Sequence, residues 1–140
     1  MSSPKTSWEE RVKSHLEAWP LSMAEAINAR DFDQKNPTWD MLAPGFKSGP
    51  LAGTSQMMFS SAAEHLKWVA QTCERFPDWK LHVLDAHAHI DGKTAVVMVN
   101  TASEGRFPGI AKETTVFIEF QVVGGRWLVT ALKGLGDWWG

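Results

Sequence analysis

Four residues capable of moving a proton stand close together: His82, Asp85, His87 and His89. Histidine titrates near neutral pH, and a neighbouring carboxylate orients the ring or raises its pKa. The surrounding pattern alternates as a strand does, with successive side chains on opposite faces. Asp85, His87 and His89 then share a parity with Trp79, Leu81 and Val83, whereas His82 goes with Leu84, Ala86, Ala88 and Ile90. An uninterrupted strand separates His82 from Asp85. A bulge near Asp85 would bring part of the set together. The alternative is that these residues lie on an outer sheet face or in a dimer interface. His87 and His89 also have the spacing of a strand metal site. Only Asp85 or Asp91 is near enough in sequence to be a third ligand, so no metal is expected.

Other polar residues have plainer readings. Lys133 ends an apolar run, as a buried cation near a developing oxyanion or as a rim residue with its stem on apolar surface. Asp31 and Asp33 read as capping or turn residues, and Glu113 and Glu119 as a solvated strand face. Cys73 reads as packing. His15 and His65 sit on helices beside apolar positions, and His65 could face a pocket mouth or solvent. The chain has eight Trp, seven Phe and no Tyr. Large aromatic residues fill cores or line pockets for flat, apolar ligands. No phenol is available as an acid. No nucleophile triad, phosphate-binding loop or nucleic-acid signature is present.

The elements that must position these residues follow from periodicity. Ser7 to Arg30 is expected to be a helix opened by the Ser7–Glu10 capping pair, with Trp8, Val12, Leu16, Trp19, Met23 and Ile27 on one face and a kink or break at Pro20. Asp31 to Gly53 carries many Pro and Gly and reads as loop, with one short helix at Thr38 to Leu42. Ser61 to Arg75 is expected to be a second helix, with Ala62, Leu66, Val69, Ala70 and Cys73 inward and Pro77 ending it. The period then changes to alternation. Four strands are expected at Trp79–Ile90, Thr94–Ala102, Glu113–Val123 and Arg126–Lys133, turning at Asp91-Gly92, Ser103–Gly109 and Gly124-Gly125. Helices followed by an antiparallel meander make an α+β domain.

Bulk properties limit the function classes. The 140 residues suit one domain, 1–140, with 44% hydrophobic and 21% charged residues. A net charge of −2 argues against a nucleic-acid or anionic-membrane surface. One cysteine rules out an internal disulfide. No apolar run approaches the roughly 20 residues of a membrane span, and Met1 to Ser7 has no signal-peptide core, so a cytoplasmic protein is expected.

Three stretches carry a resemblance to a known superfamily: "AINARDFD" (Ala26–Asp33), "ERFPDWKLHVLDAHAHIDGKTAVV" (Glu74–Val97) and "FIEFQVVGGRWLVTALKGLGD" (Phe117–Asp137). In that order they resemble the nuclear-transport-factor-2-like (NTF2-like) superfamily and its SnoaL-like group, with "RFPGIAKETTVFIEF" closest to small fungal members. The resemblance implies a cone-shaped fold, N-terminal helices in the concave face of a curved antiparallel sheet, and frequent homodimers through the outer sheet face, to which Trp138 and Trp139 could add. It includes ketosteroid isomerase, scytalone dehydratase and polyketide cyclases beside non-catalytic proteins, so it implies a pocket and not a reaction. His82, Trp127, Leu132 and Lys133 match positions of the scytalone dehydratase pattern. Ile27 and Asn28 replace its Tyr-Asp pair and its second histidine has no counterpart, so that dehydration is not expected.

The resulting expectation is a cofactor-free isomerase, cyclase or dehydratase for a small apolar metabolite, with secondary metabolism as the setting the resemblance suggests. His82 and Asp85 would move the proton, and Asn28, Trp68, Trp127 and Lys133 would hold the substrate. The alternative is a binding or dimerisation module without chemistry.

Overall fold

The computed structural model describes residues 4–50, 59–107 and 109–134. Helix α1 (Pro4–Asn28) is followed by the single turn α2 (Pro37–Asp40), strand β1 (Leu42–Pro50), helix α3 (Ala62–Arg75) and strands β2 (Lys80–Asp91), β3 (Thr94–Phe107), β4 (Ile110–Val123) and β5 (Arg126–Gly134). The strands form one sheet in the order β1-β5-β4-β3-β2. The fold is α+β, with helices against a curved mixed sheet. The Trp138 and Trp139 expectation lies outside the described residues.

The sheet is larger than the meander expected from sequence. β1 pairs in parallel with β5 and makes the sheet mixed. Its sequence, LAPGFKSGP, looks like a loop because Pro cannot donate to a ladder. At an edge that loss is tolerated, and β1 is an edge strand with a register shift between Leu42 and Lys47. β3 also runs on to Phe107, where a turn was expected from Ser103. Gly105 permits this, since a β-carbon there would collide with the Asp78 carbonyl and its φ is +82°.

α1 buries Leu16, Trp19, Met23, Ala24, Ala26 and Ile27, the expected spacing, while Trp8 stays 49% exposed. Pro20 does not split the helix; it is buried inside it. From the sheet, Leu81, Val97, Val99, Val116, Ile118, Phe120, Val129 and Leu132 face the same core, joined by Leu66, Val69 and Cys73 of α3.

The end of α1 is tied to the outermost strand. Asn28 donates from Nδ2 to the Leu81 carbonyl (2.8 Å) and accepts from the Leu81 amide at Oδ1 (2.8 Å). Arg30 has φ +60°. Its amide bonds to Ile27 O and the Asp31 amide to Ala26 O, the paired bonds of a Schellman cap, in which the left-handed position usually holds Gly. The Arg30 guanidinium accounts for the exception by donating to the carbonyls of Ile27, Pro77 and Trp79. Nearer the middle of α1, Glu17 accepts from the Ala88 amide at 2.7 Å.

Asn28→Ala leaves both Leu81 backbone groups without their partner and should cost about 2 kcal/mol in urea unfolding, with Asn28→Asp intermediate. Gly105→Ala, strained in φ and blocked by Asp78, should cost more than about 2 kcal/mol in the same experiment.

Candidate functional site

Polar side chains directed into the core collect at one end of the sheet, where β1 and β5 finish and β2 begins. Ser48, Thr101, Ser103, His65 and Arg106 are all buried there. Ser61 caps α3 by accepting from the Glu64 amide, and this start turns His65, Leu66, Val69, Thr72 and Cys73 inward. His65 Nδ1 and Ser48 Oγ share a hydrogen bond of 2.9 Å. Ser48 is held by its own backbone, which exchanges two bonds with Phe59.

Aromatic rings surround this pair. Phe46 lies 5.3 Å from the His65 ring, Trp68 6.1 Å and Phe59 6.2 Å. Trp68 connects it to a cation: the Arg106 guanidinium stands 5.8 Å from the Trp68 ring and 5.9 Å from those of Phe76 and Trp79. Trp79 is fixed in turn by donating from Nε1 to Ser103 Oγ. A cation against aromatic faces is stabilised by the ring quadrupoles, the more so when dry.

Burial lowers the His65 pKa to about 4. At neutral pH the ring is therefore uncharged, with one nitrogen that donates and one that accepts. Burial also raises the Cys73 thiol pKa, opposed in part by the Arg30 charge, so this cysteine is a packing group. The site thus has a fixed cation, a neutral imidazole with a hydroxyl, and flat apolar walls. A ligand oxygen that reached these groups would meet a cation and a neutral imidazole.

The residues expected to act lie mostly elsewhere. The register between β2 and β3 shifts between Val83 and Asp85, making Leu84 the extra residue of a bulge. Beyond it the parity reverses: Ala86, Ala88 and Ile90 turn inward, while His82, Asp85, His87 and His89 are all exposed. The bulge unites the set, but on the convex face. His82 Nε2 lies 2.6 Å from Glu104 Oε1. Asp85 Oδ1 accepts from Asn100 at 2.7 Å and lies 3.7 Å from His87 Nε2. Lys133 is on this outer face too, paired with Glu119 at 2.8 Å. Asn28 is spent on Leu81. Trp127 packs against the core beside Val122, at the opposite end of the sheet from Ser48. Of the expected set only Trp68 is at the polar cluster.

His65, expected at a pocket mouth or in solvent, is buried instead; the signal was its helical spacing from Ala62 and Val69 on the inward stripe of α3. Arg106 carried no such signal, because β3 was expected to end before it. Among the described residues, one cleft along α1, of about 590 Å³, is lined by Ser7, Glu10, Arg11 and Ser14, and another, of about 240 Å³, by Glu9, Glu10, Lys13, Ala88, His89 and Ile90. Neither reaches His65.

Solved structures share this architecture. An NTF2-like protein with a cystatin-like fold from Novosphingobium aromaticivorans superposes with a TM-score of 0.68 at 8% identity, over 96% of this chain and 86% of that one. The chain has an NTF2-like fold. An NTF2-like protein of unknown function from Pseudomonas putida gives a TM-score of 0.68 at 13% identity, covering 90% and 87% of the two chains. A protein of unknown function with a cystatin-like fold from Nostoc punctiforme gives 0.63 at 12% identity, covering 86% and 89%. No family model and no curated protein sequence matches. At these identities the likeness concerns the fold.

The His65 environment predicts a pH effect. Its pKa is 6.5 ordinarily and about 4 in the folded chain, so between these values the unfolded chain binds the extra proton. Stability is full above pH 6.5 and falls as pH drops toward 4, by about 3 kcal/mol in all. His65→Gln should flatten this part of the unfolding profile, measured by denaturant titration at several pH values.

Proposed function

We propose that this NTF2-like domain binds a small, largely apolar metabolite at the α3 end of its sheet. The ligand lies against Trp68 and Phe59 and turns an anionic or carbonyl oxygen toward Arg106 and His65. The observation that carries this reading is the placement of a buried cation and a buried neutral imidazole inside one aromatic surround. Ligand pockets are where apolar walls and a few polar groups are combined in this way. The resemblance of the three sequence stretches supports the SnoaL-like group.

The Ser48–His65 hydrogen bond favours a second reading, in which the same site performs acid–base chemistry of the isomerase, cyclase or lyase type. His65 is then the proton carrier, and His82 and Asp85 are outside the reaction. A neutral imidazole beside a hydroxyl is in the protonation state a general base needs, although a pKa near 4 makes it a weak one.

The test is a panel of small aromatic and alicyclic carboxylates and ketones, followed by tryptophan fluorescence and thermal shift. Binding should quench fluorescence and raise Tm in the native chain, and Trp68→Ala should weaken it about tenfold or more, the loss expected for one large aromatic contact. Binders that act equally on Trp68→Ala would show that the ligand sits elsewhere. Proton NMR of the recovered ligand separates the two readings: an unchanged ligand supports binding alone, and a product lost in His65→Gln supports catalysis.

A further inference from the structure

The convex face carries a group of side chains of which sequence spacing shows only two, His87 and His89. The bulge at Leu84 leaves His87 and His89 exposed on one face of β2. Directly opposite His87 on β3 is Met98, and opposite His89 is Val96. Facing residues on neighbouring strands have β-carbons about 4.5–5.5 Å apart, and diagonal ones about 7–8 Å, so Met98 is within side-chain reach of both imidazoles. Met98 is 38% exposed, with its thioether at the surface instead of in the core.

We propose that His87, His89 and Met98 form a copper site selective for Cu(I). Two imidazoles and a thioether are a soft donor set, which favours Cu(I). Zinc sites call for three or four histidine, cysteine or carboxylate ligands, and among the described residues no group of three or more His, Cys, Asp or Glu is placed to hold an ion. Methionine supplies a third ligand whose soft thioether suits Cu(I) and not zinc.

The surroundings fit this role. Thr115 Oγ1 donates to Asn100 Oδ1 at 2.8 Å, and Asn100 Nδ2 donates to Asp85 Oδ1 at 2.7 Å. This chain across three strands holds the Asp85 carboxylate 3.7 Å from His87 Nε2. That is beyond hydrogen-bond range, but close enough for the carboxylate to draw closer and orient a ligating histidine once an ion binds the other nitrogen. His89 also lines the 240 Å³ cleft beside α1, which leaves room for an ion to approach.

The experiment titrates Cu(I) into the full chain carrying Cys73→Ser, under reducing conditions, against a chromogenic Cu(I) chelator. One equivalent should be retained. His87→Asn and His89→Asn should each weaken binding by about 100-fold and Met98→Leu by about tenfold, while Zn²⁺ binding, already weak, should not respond to Met98→Leu. Circular dichroism checks that each variant is folded. Retention no greater than that of the His87→Asn/His89→Asn double variant, or equal retention by Met98→Leu, would overturn the proposal.

Discussion

The outermost strand of the sheet has no strand beyond it, and this structure depends on how that edge is closed. Backbone groups at a sheet edge need partners, or they invite another chain. Here α1 and Arg30 just beyond it supply several of them. Asn28 answers both polar groups of Leu81, Arg30 takes the carbonyls of Pro77 and Trp79, and Glu17 takes the amide of Ala88. These bonds lay α1 along β2 and press Leu16, Trp19, Met23 and Ile27 onto the sheet. The docked helix defines one sheet face as the inside. Every assignment of a side chain to pocket or surface follows from that.

One irregularity then divides the molecule's polar chemistry in two. An unbroken β2 would have alternated its polar residues between the faces. With Leu84 inserted, the half of β2 near Trp79 points Leu81 inward and the other half points Ala86, Ala88 and Ile90 inward. The small and branched apolar residues suit the face under α1, and the charged and imidazole groups stay in water, where they are not penalised by desolvation. The convex face therefore collects His82, Asp85, His87 and His89, while among the described residues the inward Ser48, Thr72, Thr101 and Ser103 side chains each have a hydrogen-bond partner.

The interior cluster shows what burial does to a titratable group. His65 has lost most of its solvent, and with no water to stabilise a charge its ring stays neutral. Arg106 cannot shed its charge and is held instead against three aromatic rings. Trp68 touches both environments, lying against the His65 ring and under the Arg106 guanidinium.

The sequence by itself determined what depends on local periodicity. The α3 stripe, the α1 face from Leu16 to Ile27, the alternating strands and the Gly-bearing turns are set by spacing that repeats within a few residues. So was the fold resemblance, since it rests on the order of such units. Tertiary structure alone decided the rest. β1 exists because its Pro-rich segment finds an edge of β5, a pairing between residues far apart in sequence. Asn28 became a clamp because Leu81, 53 residues away, lay beside it. The bulge at Leu84 turned Asp85 outward, since a one-residue insertion reverses every side chain after it. Ser48, His65 and Arg106 met because three separate elements converge on one core, and no pattern within any one of them records the others.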